Sequence, residues 1–337
     1  MKILITGGTG FIGTALRRAI KDDGHDVRLL VRAGSVDKID RREGFDVLVG
    51  DALDTHACMR AVDGVDAVVH LIGIRREHPE DGLTYEAMHT EATYAVAEAA
   101  RRGGVARFIY MSSLGARADA PSRYHRTKWE SEEIVRKSGM RYTIFRPSII
   151  FGPGDEFHPL IAELVHRAIV PVIDGGKSLL QPVARHNVVG PMARSLVMPE
   201  TQGREIEVGG PDRMKFIEIF WAVARHYGVW PNTMSISSLL AKPLVKFGQR
   251  LPNFPVTYEE LLLLLEDNVC DNRSSCACSA RSWKRTRTRF RRCARTSTNW
   301  RTCRRRTTRK HRAQRGGKIT NRRGLCAAAV FCCARVA

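Results

Sequence analysis

A doubly wound α/β domain with a parallel central sheet is the fold that this 337-residue sequence predicts, and three observations predict it. An apolar, β-branched run, Lys2 to Thr6, turns straight into closely spaced glycines and then into an amphipathic segment. Strand-like runs alternate with helical passages as far as Arg146, the signature of β-α-β units with helices on both sheet faces. Beyond Arg146, prolines and glycines punctuate the chain, as expected for loops and a smaller second lobe.

The elements follow in order. Strand composition marks Lys2 to Thr6, Asp26 to Val31, Phe45 to Val49, Ala67 to Ile72, Arg107 to Met111 and Tyr142 to Arg146. Helices are predicted at Phe11 to Lys21, near Thr55 to Val62, at Leu83 to Arg102 and at Ser122 to Ser138. A helix around Asn187 to Met198 and a strand at Arg204 to Val208 are expected to rejoin the sheet. Met214 to Tyr227 reads as a core helix, and residues 213 to 272 read as helices broken at Pro231, Pro243, Pro252 and Pro255. Thr257 and Glu260 stand in capping-box spacing ahead of Leu261 to Leu265, a packed helix rather than a membrane anchor. The domain reading is therefore a first domain at 1–155, with 187–208 returning to it, and a lobe made of 156–186 and 209–272.

The formal charge of +20 suggests nucleic acid until it is divided along the chain. Residues 1–272 carry 34 Lys and Arg against all 35 Asp and Glu, whereas residues 273–337 carry 21 basic groups, no acid and seven of the nine cysteines. Three readings of that tail are open: a basic arm for nucleic acid or anionic lipid, a metal site at Cys276 and Cys278, or out-of-frame translation of a G- and C-rich gene. The lack of a Cys-x-x-Cys pair, with His311 the tail's one histidine, argues against zinc. Arg, Cys, Ser, Thr and Ala without acids favour the third reading. The tail lacks any apolar period and is expected to be disordered, with no specific nucleic-acid site and no metal site in the chain. The body, with only Cys58 and Cys270 and no long apolar run, reads as cytoplasmic or at most peripheral to a membrane.

The first turn carries the chemistry. In GGTGFIG the glycines at 8, 10 and 13 satisfy G-x-G-x-x-G, and Gly7, Gly10 and Gly13 also give G-x-x-G-x-x-G. One glycine allows the tight turn, one lets backbone approach a pyrophosphate, and one lets the helix pack closely, with its N-terminus facing the phosphates. Flanked by a strand and a helix, this loop identifies a Rossmann dinucleotide site. Farther on, Tyr124 and Lys128 stand four apart in YHRTK and share a helix face. An ammonium beside a phenol favours the phenolate, so Lys128 is expected to lower the Tyr124 pKa and make it an acid/base near neutral pH. Ser113 lies 11 residues upstream, at the end of the fifth strand.

GGTGFIG, Gly50-Asp51, HLIG at 70–73, YMSS at 110–113, YHRTK and RPSIIFGPG together resemble the short-chain dehydrogenase/reductase superfamily, in its extended or atypical epimerase/dehydratase branch. The chain is similar in detail to the subgroup holding the nucleotide-binding accessory subunit of mitochondrial complex I, in which QPV, here 181–183, is also typical. The resemblance implies that Ser113, Tyr124 and Lys128 form the catalytic set. It further implies cofactor contacts at Gly7, Gly10, Phe11, Ile12, Gly13, Asp51 near adenine with Ala52, Leu71, Ile72, Gly73 and Lys128, with Pro147 and Ser148 near the nicotinamide. The interval from Ser113 to Tyr124 is shorter than in extended enzymes, which points away from nucleotide-sugar chemistry.

Nineteen residues past Gly13, where NAD enzymes carry an acid for the ribose 2′-hydroxyl, stands Arg32. Arginine suits a 2′-phosphate, so NADP(H) is expected over NAD(H), with Lys38 assisting. His158, Arg185 and His186 are further candidates to face a substrate. Two functions remain open: an NAD(P)H-dependent oxidoreductase for a small apolar or quinone-like substrate, or a non-catalytic NADPH-binding accessory protein of a respiratory or quinone-synthesis complex at a membrane surface.

Overall fold

In the computed structural model, residues 1–251, 254 and 256–272 are described. The expectations for 273–337, and for breaks at Pro252 and Pro255, lie outside the described residues.

The chain forms β1 (Lys2–Thr6), α1 (Phe11–Asp22), β2 (Asp26–Val31), β3 (Asp46–Val49), α2 (Thr55–Val62) and β4 (Ala67–His70). These are followed by α3 (Ala92–Arg102), β5 (Arg107–Met111), α4 (Arg123–Lys137) and β6 (Arg141–Pro147). Next come β7 (Ile150–Phe151), α5 (Phe157–Val165), β8 (Ile169–Ile173), β9 (Leu179–Leu180), β10 (Val183–Ala184), α6 (Arg185–Ser195) and β11 (Arg204–Val208). The last described elements are β12 (Met214–Lys215), α7 (Phe216–Tyr227), β13 (Asn232–Ile236), α8 (Ser238–Gly248) and α9 (Tyr258–Leu265).

Seven strands build one parallel sheet in the order β3-β2-β1-β4-β5-β6-β11, the doubly wound fold expected from the sequence. Alternate residues of each strand face opposite layers. Ile3 and Ile5 join Leu16, Ile20, Leu29 and Val188 in one core, while Leu4 joins Val68, Ala61, Val96 and Phe108 in the other. Both faces are covered, which explains why the strands read as unbroken apolar runs. Strand order reverses between β1 and β4, so the loops leaving their C-terminal ends splay apart and open a crevice there.

Helix α4 is anchored to the sheet by Glu132, fully buried, whose carboxylate accepts from Arg136 and Arg146. Outside the main sheet, Ile161, Val165, Val170, Val172, Phe220 and Ala224 make a separate small core between α5, α7 and β8. Three local features differ from the sequence reading. Helix α8 runs through Pro243 instead of ending there. The bond that proline deletes would have reached the carbonyl of Leu239, a residue open to solvent, so water can take its place. Residues 232–236, read as helical surroundings, form β13 and pair in parallel with β8. The predicted helix from Leu83 starts with a π-helical turn, Glu86–Glu91, before α3.

Candidate cofactor and catalytic site

The glycine loop fills the crevice floor. Gly7 adopts φ +73°, and a Cβ there would meet the Leu71 carbonyl carbon at 3.0 Å, so glycine is needed both for the turn and for the approach to the loop after β4. A Cβ on Gly13 would lie 2.2 Å from the Gly7 carbonyl oxygen. Gly10 caps α1 without a side-chain acceptor, and the first turn holds no acid, so the helix N-terminus keeps its positive end available for an anion. The loop thus fits a dinucleotide pyrophosphate. Arg17, which the sequence did not single out, braces it from below: its buried guanidinium donates to the Gly8 carbonyl at 3.1 Å and pairs with Glu43 at 2.8 Å.

Arg32 follows β2 immediately and is exposed, with no partner for its guanidinium among the described residues. Asp51, after β3, accepts from the Leu53 amide at 3.0 Å, and Ala52 beside it is buried. Leu71, Ile72 and Gly73 leave β4, with the Leu71 amide bonded to Thr6 at 3.1 Å. Pro147 closes β6 and accepts from the Leu114 amide, while the Ser148 hydroxyl is taken by Asn268.

Ser122 caps α4 by accepting from the His125 amide, which sets the helix phase that brings Tyr124 and Lys128 to one face. The Tyr124 ring stands edge-on to Tyr85 and His89, at 5.7 and 5.3 Å. Burial pushes its phenol pKa up, while the nearby Ser113 side chain, whose hydroxyl donates to the Leu114 carbonyl at 3.3 Å, and the Arg75 cation act the other way. Lys128 is buried and donates to the Met111 carbonyl at 3.0 Å and the Tyr110 hydroxyl at 3.4 Å. The expectation that it lowers the Tyr124 pKa is therefore corrected: its ammonium is engaged at the end of β5, and desolvation wins at the phenol. Desolvation also brings Lys128 itself down to about 8, against the attraction of Glu132.

Two histidines surround this lysine. His89 accepts from the Ile74 amide on Nε2 at 3.1 Å and bonds Thr127 through Nδ1 at 2.9 Å, and burial holds its pKa well below the ordinary value. His70 lies between Thr6 and Thr93, and burial brings it down to about 3. Both are neutral donors and acceptors that keep the lysine's surroundings polar without adding charge. A lone histidine in AMHTEA offers no sequence signal of this.

Helix α9 closes one side of the site. Glu259 accepts from the Arg123 amide at 2.8 Å and the Tyr124 amide at 3.5 Å, placing a carboxylate at the positive end of α4. Glu260 pairs with Arg76 at 2.7 Å, and Glu266 with Arg117 and His125. The remaining candidates lie apart from Tyr124. Arg185 donates to the Phe11 and Pro153 carbonyls and stacks on the Phe11 ring at 5.0 Å, on the glycine-loop side. His186 follows it on α6, and the His158 ring lies against Tyr227. Gln181 of QPV bridges Gly210 and Cys270, a packing role.

The buried ammonium gives a measurable result. Lys128→Met is expected to be more stable than the parent by about 2 kcal/mol at pH 7, since about 3 kcal/mol of charge burial is removed and about 1 kcal/mol of hydrogen bonding is lost. The group binds its proton less tightly folded than unfolded. Its penalty is therefore full at pH 7 and fades as pH rises through about 8 toward 10.5, and the gap between the two melting curves should close over that window. A variant less stable than the parent at pH 7 would show that the bond to Met111 outweighs the charge.

Residues 7–156 match the family model described as NAD(P)H-binding. Among curated proteins the chain is 36% identical over 172 residues to a ceramide reductase of Caulobacter vibrioides, covering 51% of this chain and 53% of that protein. It is 28% identical over 248 residues to the mouse mitochondrial NADH dehydrogenase [ubiquinone] 1 alpha subcomplex subunit 9, covering 71% and 65%. The chain thus spans less than two thirds of the length of these relatives. Among solved structures, UDP-glucuronic acid 4-epimerase from Bacillus cereus, with its substrate and NAD, superposes with a TM-score of 0.59 at 20% identity, over 78% of this chain and 97% of that one. That likeness is one of fold.

Proposed function

For a chain whose residues 7–156 match an NAD(P)H-binding family model, we propose an NADPH-dependent oxidoreductase of the short-chain dehydrogenase/reductase type acting on a small apolar or quinone-like carbonyl or alcohol. The observation that carries this reading is the cluster at the crevice mouth: Tyr124 with the Ser113 side chain near its phenol, and Lys128 beneath, its ammonium 2.8 Å from where a Gly73 Cβ would project. The dinucleotide, when bound, supplies or accepts hydride. Gly7, Gly10, Phe11, Ile12 and Gly13 would hold its pyrophosphate, Asp51, Ala52, Leu71 and Ile72 its adenosine side, and Gly73, Lys128 and Pro147 its nicotinamide half. Ser113 orients the substrate oxygen. Tyr124, kept protonated by burial, donates its proton to that oxygen, which favours the reductive direction. Similarity to a ceramide reductase supports an apolar substrate. Following NADPH oxidation with a panel of apolar ketones and quinones tests the proposal: turnover of one or more supports it, and none across the panel counts against it.

Arg32 carries the cofactor preference. NADPH should bind more tightly than NADH, and Arg32→Ala should weaken NADPH by about 1.5 to 3 kcal/mol while leaving NADH nearly unchanged. Calorimetric titration of both nucleotides reads this directly, and equal affinities in the parent protein would sink the assignment.

A second reading rests on the similarity over 248 residues to the NADH dehydrogenase subunit: a nucleotide-binding accessory protein of a respiratory or quinone-synthesis complex. Under it, the dinucleotide would co-purify and resist exchange, with no substrate turned over.

A further inference from the structure

Helix α8 contributes only Ala241 and Val245 to the protein's interior, packed near Leu261 of α9. A second face is apolar. Leu240, Leu244 and Phe247 recur at helical spacing along one stripe, Leu251 follows just past the helix end and Leu239 lies toward the cationic side, and these five residues are between 61% and 80% exposed. A face this greasy needs an occupant.

Charge identifies it. Lys242 and Lys246, four apart, are exposed on the third side of the helix, and Arg250, just past its end, lies against the stripe with its guanidinium 5.6 Å from the Phe247 ring. From residue 219 to residue 258 the sequence holds no Asp or Glu at all. A second copy of this chain docked face to face would bring two such sets of cations together. The segment 273–337 carries 21 basic groups and no acid, so its sequence offers these cations no counter-charge. An anionic bilayer surface offers the reverse: phosphate headgroups for the lysines and arginine, and the acyl boundary for the leucines and Phe247. Apolar residues on one face and cations on the adjoining side are what an in-plane interfacial helix requires.

We propose that α8 is an interfacial anchor that seats this protein on an anionic lipid surface, with Leu240, Leu244, Phe247 and Leu251 entering the acyl boundary and Lys242, Lys246 and Arg250 on the headgroups. The inference is independent of whether Tyr124 turns over a substrate.

Flotation of the full chain with vesicles tests it. With phosphatidylcholine vesicles containing phosphatidylglycerol, the parent should float, and part of that binding should persist in high salt, where attraction to the many basic groups of 273–337 is screened. The triple variant Leu240→Ser, Leu244→Ser, Phe247→Ser should lose the salt-resistant fraction, with a partition coefficient lower by about tenfold or more. Its melting temperature and NADPH affinity should match the parent's, since the altered residues are exposed. The variant Lys242→Gln, Lys246→Gln, Arg250→Gln should bind less at low salt and discriminate less against pure phosphatidylcholine. Undiminished salt-resistant flotation of the serine variant overturns the proposal. So does a parent dimer that the serine variant dissociates with no change in flotation, for then a second copy covers the face.

Discussion

Tyr124→Phe is expected to lower kcat by about 10²- to 10⁴-fold on any substrate found by screening, with NADPH affinity within error of the parent's. The ring would keep its edge-on contacts with Tyr85 and His89, so packing barely changes and only the proton is removed. Steady-state kinetics together with nucleotide titration separate these two effects. Full turnover in the phenylalanine variant would remove Tyr124 from the chemistry. Loss of nucleotide binding alongside turnover would instead show that the hydroxyl helps to shape the crevice.

Gly13→Ala should damage both fold and binding. Its Cβ would lie 2.2 Å from the Gly7 oxygen and 2.7 Å from the Gly8 Cα, and backbone can yield only by lifting α1 away from the glycine loop. A loss of roughly 3 kcal/mol in stability and about 100-fold or more in dinucleotide affinity is expected. Gly24→Ala is the informative comparison. Gly24 also has positive φ, +83°, yet nothing lies within 4 Å of its missing Cβ, so only about 1–2 kcal/mol of backbone strain should appear and nucleotide binding should be untouched. Equal affinity in the Gly13→Ala and parent proteins would show that the helix start can shift without cost to the ligand.

The sheet was legible because its strands are short apolar runs bounded by turns, and Arg107–Met111 and Arg204–Val208 were read to the residue. Gly7 and Gly13 were legible because close backbone approach leaves one residue type. What remained hidden depends on distant chain segments meeting. Arg17 looks like a surface residue on an amphipathic helix until Glu43 and the Gly8 carbonyl claim it. His89 becomes informative only when Ile74 and Thr127 fix its ring beside Tyr124. Proximity of Lys128 to Tyr124 along the sequence suggested electrostatic tuning, but helical spacing does not say where a four-carbon stem ends, and it ends on the Met111 carbonyl. Residues 232–236 looked helical because their β partner, β8, lies more than 60 residues upstream.

Glu259 reaches the amides of Arg123 and Tyr124 from 136 and 135 residues downstream. In terms of biosynthesis, every strand through β6 can pair while the chain is still being made, each next to a strand already in place, and β11 joins once residue 208 has emerged. The carboxylate that steadies the start of α4 arrives only after another 50 or so residues, across a closure that carries its own entropic delay. The dinucleotide crevice is thus complete on the nascent chain well before the tyrosine's end of it is clasped. A chain stalled before residue 259 should already retain nucleotide, with its Tyr124 helix frayed at the first turn.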